Sequence, residues 1–182
     1  MTLAPVIAVV GPSGVGKDSV IEALEARAKG IQRLRRVVTR PEGEAGEDFK
    51  RVTDDAFRQM EGEGAFALSW HAHGLLYGVP KEIAQQRQVA EAVLVNLSRA
   101  VLLQAQEIFG DLIVISLTAD ASVLEQRLSL RGRESDSEQA RRLGQAKTPL
   151  PKGLVRVIEV DNSGALQDTV AKILSRLQLE SA

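Results

Sequence analysis

Eight consecutive residues, Gly11-Pro12-Ser13-Gly14-Val15-Gly16-Lys17-Asp18, have the composition of a cradle for a polyphosphate. Glycines let successive backbone N–H groups turn inward around an anion. A helix starting at the end of the loop adds the partial positive charge of its N-terminus. A lysine at the seventh place reaches the β- and γ-phosphates of ATP and offsets charge as the γ-phosphoryl group departs. The spacing is that of the Walker A motif with one departure. Its last place ordinarily holds Ser or Thr, whose hydroxyl binds magnesium. Here it holds Asp18, a carboxylate able to take Mg2+ directly or through water, and Ser19 lies one residue further round the helix. ATP and Mg2+ are therefore the expected ligands, with residues Gly11 to Ser19 around the phosphates, Lys17 catalytic and Asp18 on the metal. A chance lysine in a glycine-rich turn would not account for the strand and helix patterns on either side.

A second concentration of chemistry lies downstream, where Arg127, Arg131 and Arg133 precede Arg141 and Arg142. Phosphoryl transfer spreads charge over the equatorial oxygens, and guanidinium groups in a closed, dry site stabilise it. Arg127 and Arg131 are four apart and share a face if helical. Taken alone, an arginine cluster is more simply a solvated basic face; its place after a strand-helix unit is what favours chemistry. His71 and His73 have no carboxylate at ligand spacing to complete a metal site. Phosphoryl transfer needs little general-base help, so they read as structural groups or contacts to a substrate hydroxyl. Asp161-Asn162-Ser163-Gly164 reads by itself as an ordinary strand-to-helix turn, which these residue types favour.

These groups need a frame. Val6-Ile7-Ala8-Val9-Val10 is an unbroken, largely β-branched run, as in a strand buried on both faces of a parallel sheet. Val20, Ile21 and Leu24 share a stripe of a helix over about 17–28. Leu34 to Val38 reads as a second strand. Thr53, with Asp54 and Asp55 behind it, reads as the N-cap of a short helix. Extended pieces on either side of His73-Gly74 predict a hairpin or a pair of small strands within 65–79, and Pro80 suits the first position of another helix. Strands follow at 92–95, 112–117 and 154–160. Helices are expected at 98–109, closed by Gly110, from Asp120 to Gly132, at about 137–146 and at 166–177. This alternation predicts an α/β fold, a parallel sheet with helices on both faces. Glu42 to Asp48, rich in Glu and Gly, is the expected mobile loop.

A chain of 182 residues can form one domain with a substantial core but not two ordinary ones, so residues 1–182 are expected to be a single unit. The 44% hydrophobic and 26% charged content suits a soluble globular protein. A net charge of −1 supplies no global field for nucleic acid or an anionic membrane, which leaves small molecules as the expected partners. Oligomeric state is not addressed by these features. The lack of cysteine excludes disulfides, thiolate zinc sites and cysteine nucleophiles. No apolar run approaches the roughly 18 residues of a membrane span, and no signal peptide pattern is visible. A cytoplasmic protein is expected.

With these residues in view, essentially the whole chain resembles the guanylate kinase family, and it is more similar still to the ribose 1,5-bisphosphate phosphokinases of that P-loop group. The similarity is carried by Gly-Pro-Ser-Gly-Val-Gly-Lys-Asp-Ser at 11–19, Val38-Thr39-Arg40, Leu68-Ser69-Trp70-His71-Ala72-His73-Gly74 and Tyr77-Gly78. It continues in Val95-Asn96-Leu97-Ser98-Arg99-Ala100 and from Arg127 through Arg131-Gly132-Arg133-Glu134. The resemblance implies a P-loop NTPase fold of nucleoside monophosphate kinase type, with an acceptor-binding insertion near 35–80 and an arginine lid near 130–142. It implies ATP-dependent conversion of ribose 1,5-bisphosphate to 5-phosphoribosyl 1-diphosphate in phosphonate catabolism. Arg131 and Arg133 would join Lys17 in catalysis, and Asn162 would lie at the nucleotide. Acceptor contacts would come from Arg36, Arg40, Ser69, His71, Tyr77, Asn96, Ser98, Arg99, Arg127 and Arg142.

The departures from guanylate kinases bear on the acceptor. Those enzymes read guanine with a Glu in the first small strand, a hydroxyl after the Tyr-Gly pair and an Asp at the end of the next strand. The matching places hold Leu68, Val79 and Ser98. Base N–H and O6 groups left unpaired in a pocket cost about 1–3 kcal/mol each. Of the acceptor-phosphate groups, Arg40 and Tyr77 are kept. A second Arg is missing, with Glu42 nearby, and Phe49 stands where the family has Tyr. Arg35 or Arg36 is the expected replacement. The rival readings are a guanylate kinase proper and a silent binding module of the same fold; retention of Lys17 and the lid arginines argues against the latter.

Overall fold

The computed structural model describes residues 2–41, 48–131, 137, 140, 141, 144 and 148–181. Strand β1 (Val6–Val10) is the centre of the fold, and all five of its residues are buried. A strand can lose solvent on both faces only if helices cover both. Its neighbours are β7 (Ala92–Asn96) and β8 (Leu112–Thr118), flanked by β2 (Ile31–Arg33) and β9 (Val157–Asp161), in the order β2-β7-β1-β8-β9. Every pairing in this sheet is parallel. Alternation along β1 divides the core. Ile7 and Val9 pack with Val20, Ile21 and Leu24 of α1 (Lys17–Arg27) and with Val170 and Ile173 of α6 (Leu166–Ser181). Val6, Ala8 and Val10 pack on the other side with Ile83 of α3 (Ile83–Val89) and Leu102, Ala105 and Phe109 of α4 (Leu102–Phe109). Helix α5 (Ala121–Arg131) follows β8. The α/β architecture read from the alternation is the one observed.

A smaller sheet, in the order β4-β3-β6-β5, stands beside the first. It comprises β3 (Val37–Val38), β4 (Lys50–Arg51), β5 (Phe66–Ala72) and β6 (Leu75–Pro80). The expected hairpin is β5-β6, turning through His73 and Gly74, both at positive φ. That is the conformation two-residue hairpin turns demand. Helix α2 (Asp54–Gly62) lies against it through Phe57, 4.6 Å centroid to centroid from Phe66. Thr53 caps α2 as expected, its side chain accepting from the Ala56 N–H at 3.1 Å. Thr53→Ala should therefore destabilise the protein by about 1 kcal/mol, a fall of roughly 2–4 °C in a thermal melt.

Four expectations need correction. The strand read at 34–38 is two elements. The Leu34 N–H still bonds Leu94 O of the large sheet, whereas Val37 and Val38 pair with β4 and β6 of the small one. An extended run looks the same in sequence whether or not it changes sheets. Pro80 ends β6 opposite Phe66, and α3 begins only at Ile83; with no N–H to give, proline stops a ladder as readily as it starts a helix. Strand β9 begins at Val157, because Leu154 packs on the second core cluster instead of joining the ladder. The helix read at 98–109 opens as a 3-10 turn over Arg99–Val101. The loop 42–47 and most of the segment 132–147 lie outside the described residues. No helix among the described residues is long and apolar enough to cross a membrane.

Candidate active site

The loop from Gly11 to Gly16 leaves the C-terminal end of β1 and enters α1, the place where open parallel sheets bind ligands. A Cβ at Gly11 would stand 2.8 Å from both Leu117 O and a Val15 methyl, so no other residue fits. Gly16 has φ 98° and faces Asn162, which a Cβ would approach to 2.8 Å. The Lys17 ammonium lies across the loop, donating to Gly11 O at 2.8 Å and Pro12 O at 3.4 Å. It is thereby held beside the phosphate cradle.

The outer side of the loop is clamped from far along the chain. Asn162 is buried; its Nδ2 donates to Val15 O at 2.7 Å, and its Oδ1 accepts from Thr169 Oγ1 at 2.6 Å. Arg127 of α5 donates to Val15 O at 3.1 Å and to Asn162 O at 2.8 Å. Asn162 is thus a brace of the phosphate loop, whatever else it touches. Thr169 had no signal in the sequence, since a threonine inside a helix announces nothing. A cleft of about 360 Å3 opens here, lined by Gly14, Gly16, Ser19, Arg127, Leu130, Asn162, Gly164 and Leu166. At its edge, hydrogen bonds from the Ser163 side chain and backbone N–H hold the Asp161 carboxyl below the usual carboxylate range; Lys172 and Arg127 act in the same direction. Asn162→Ala should remove the shorter bond to the Val15 carbonyl and the shorter bond of the Thr169 hydroxyl, leaving Arg127 on the first and Ala165 O on the second. A loss of about 1 kcal/mol in denaturant unfolding is expected, together with weaker nucleotide binding in a titration.

Asp18 stands in the first turn of α1, and its Oδ1 accepts from Asn96 Nδ2 at 3.4 Å. Asn96 is the last residue of β7 and is buried. No group of three or more His, Asp or Glu that could hold a metal occurs among the described residues. One carboxylate beside a triphosphate cradle suits magnesium, which takes one or two carboxylates along with phosphate oxygens and waters.

The acceptor candidates fall into separate places. Arg36 is buried, with its guanidinium carbon 5.0 Å from the Tyr77 ring centroid and 5.8 Å from that of Trp70. The two rings stack at 5.3 Å and 7°. Leu68 and Val79 are register partners on the same face as Trp70 and Tyr77, and both are sealed into the second core cluster. Alternation turns Ser69 and His71 to the opposite face, where the Ser69 hydroxyl donates to Glu61 of α2 at 2.7 Å and His71 is exposed. Arg40 lies 5.1 Å from the Phe49 ring centroid, and Arg51 lies 5.7 Å from it. Phe49 thus presents its ring to two arginines. Arg35 pairs with Asp48 at 2.9 Å. The Ser98 hydroxyl caps the 3-10 turn by accepting from the Ala100 N–H at 3.3 Å. Arg99 donates to Thr148 O at 3.0 Å, and burial lowers its pKa. Arg131 ends α5; its side chain, together with Arg133, Arg142 and Glu42, lies outside the described residues. Arg141 is helical and exposed.

No protein-family model matches the chain. A ribose 1,5-bisphosphate phosphokinase of Ruegeria sp. (strain TM1040) is 51% identical over 178 residues, 98% of this chain and 94% of the relative. The enzyme of the same name from Pseudomonas fluorescens (strain SBW25) is 42% identical over 175 residues, 92% of each chain. Among solved structures, a guanylate kinase from Anaplasma phagocytophilum superposes with a TM-score of 0.67 at 19% identity, over 98% of this chain and 87% of the other. A gluconokinase from Sinorhizobium meliloti 1021 gives 0.54 at 23% identity, with full coverage of both chains. At such identities these two likenesses describe the P-loop kinase fold alone.

Proposed function

The chain belongs to the ribose 1,5-bisphosphate phosphokinase family, and from that premise we propose that it transfers the γ-phosphoryl group of ATP to the 1-phosphate of ribose 1,5-bisphosphate. The products are ADP and 5-phosphoribosyl 1-diphosphate. The observation that carries the acceptor assignment is the wall formed by Leu68, Val79, Trp70, Tyr77 and Arg36. Its two fully apolar positions are buried and offer no hydrogen bond to a base, and we assign the Arg36 guanidinium, which stands over the Tyr77 ring, to an acceptor phosphate.

In the reaction, an oxygen of the acceptor phosphate forms a bond to Pγ as the bond from Pγ to the β,γ-bridging oxygen breaks, and ADP keeps the electron pair. The attacking oxygen is already anionic, so no side chain has to remove a proton. This agrees with the position of His71, exposed on the far face of the hairpin. The Lys17 ammonium offsets charge on the β- and γ-oxygens, and the backbone N–H groups of Ser13, Gly14 and Gly16 hold the triphosphate in line. Asp18 would hold a magnesium ion here, and that ion would supply neutralisation of the charge that develops on the phosphates. The adenine is assigned to the cleft beside Arg127 and Asn162. Residues 35–80 form the acceptor region, with Arg36, Arg40 and Tyr77 at the phosphates, and residues 130–142 the lid, with Arg131, Arg133 and Arg142 over the transferring group. Ser69 is assigned to bracing the hairpin through Glu61. A cytoplasmic setting and a place in phosphonate breakdown belong to the same proposal. The test is incubation with ATP, Mg2+ and ribose 1,5-bisphosphate: ADP and phosphoribosyl diphosphate should form in equal amounts. ADP formed without that product would overturn the assignment.

A further inference from the structure

We propose that the carboxylate of the magnesium site has been transposed, from the end of the strand beside the phosphate loop to the loop itself, and that Asn96 holds it in position. P-loop enzymes grip the ion with a hydroxyl at the last place of the loop and an aspartate elsewhere in the site. Here the loop position carries the acid, Asp18. Strand β7 is paired directly with β1, with Asn96 opposite Val9, so its last side chain emerges at the mouth of the loop. That side chain is an amide, 9% exposed, with Nδ2 3.4 Å from Asp18 Oδ1. The pair therefore holds one carboxylate and one neutral polar group, as a Ser and Asp pair does, with the two exchanged between helix and strand.

Charge explains why the exchange has to be reciprocal. Two carboxylates at this separation, facing a triphosphate, would repel each other and the nucleotide. With none, the ion would be held by phosphate oxygens and water alone. An amide on the strand also fixes the carboxylate's orientation by donating to one of its oxygens, leaving the other oxygen directed by that bond. Asn96 is on this account a positioning residue. The inference rests on reading the loop as an ATP site and not on the identity of the acceptor.

The test uses calorimetric binding of β,γ-imido-ATP to the intact protein, with and without Mg2+ and without acceptor. The magnesium-dependent tightening is the readout. Asp18→Ser should lose at least about tenfold of it, and the Asp18→Ser/Asn96→Asp double variant should recover to within about threefold of wild type. Asn96→Asp alone should weaken metal-free binding roughly tenfold through the second carboxylate. Wild-type tightening in Asp18→Ser, or a double variant no better than Asp18→Ser, would overturn the transposition. Should the double variant lack a cooperative thermal transition, Asn96→Ala decides: it should lose about threefold or more of the tightening with metal-free affinity intact, and unchanged tightening overturns the positioning role. Failure of the wild type to bind the analogue at all would sink the ATP-site reading underneath.

Discussion

Lys17→Met should lower kcat by at least about a hundredfold, equivalent to roughly 2.7 kcal/mol of transition-state stabilisation. The reason lies in where the ammonium is held. It crosses the loop to Gly11 O and Pro12 O, so it stands beside the cradle before any phosphate arrives and needs no large rearrangement to act. Its charge matters most when negative charge builds on the leaving oxygen, so the loss should fall on kcat more than on nucleotide affinity. Methionine keeps most of the stem, and the bonds lost to Gly11 O and Pro12 O are part-buried, so the thermal midpoint should move by no more than about 4 °C. Steady-state rates beside a thermal melt check both halves. A variant keeping more than about a tenth of wild-type kcat would remove Lys17 from the mechanism.

GMP should be a poor acceptor, with kcat/KM at least about a hundredfold below that for ribose 1,5-bisphosphate. Leu68 is 2% exposed and Val79 0%, which makes the difference one of architecture as well as of two side chains. Both belong to the core cluster that includes Val6, Ala8 and Val10 of the central strand. A purine brought to this wall would leave its N–H and O6 groups without partners, at about 1–3 kcal/mol each. A ribose bisphosphate has no base and loses nothing there. The same burial means that restoring a Glu at position 68 should damage the fold sooner than it creates a guanine site, because an unpaired carboxylate in that cluster is strongly disfavoured. Coupled ADP-release assays on the two acceptors measure the ratio, and comparable efficiency with GMP would restore the guanylate kinase reading.

Much of the frame was legible because it is written locally. The β1 run, the glycine loop, the Thr53 cap and the His73-Gly74 turn each depend on residues within one or two turns of chain, where side-chain size, φ preference and hydrogen-bonding capacity act directly. The same locality explains the failures. Leu34 to Val38 is extended throughout, and nothing within those five residues says that the chain leaves one sheet for another. Pro80 and Leu154 were misplaced for the same reason: a proline and a leucine suit more than one position, and the packing around them decides.

The sequence alone determined that a polyphosphate would be cradled before α1, with Lys17 at hand and an acid where a hydroxyl is usual. Only the tertiary structure decided what surrounds that loop. Asn162 reaches Val15 across 147 residues, Arg127 across 112, and Asn96 reaches Asp18 across 78. Those contacts exist because the sheet order places β7 and β8 on either side of β1 and β9 beyond β8, bringing the C-terminal ends of four strands to one edge. Likewise Leu68 and Val79 are identifiable as apolar from sequence, but their sealing into the core, with Arg36 lying over Tyr77, follows from how the second sheet packs against the first. Burial and long-range pairing are properties of the assembled sheet, and a local pattern of residues does not contain them.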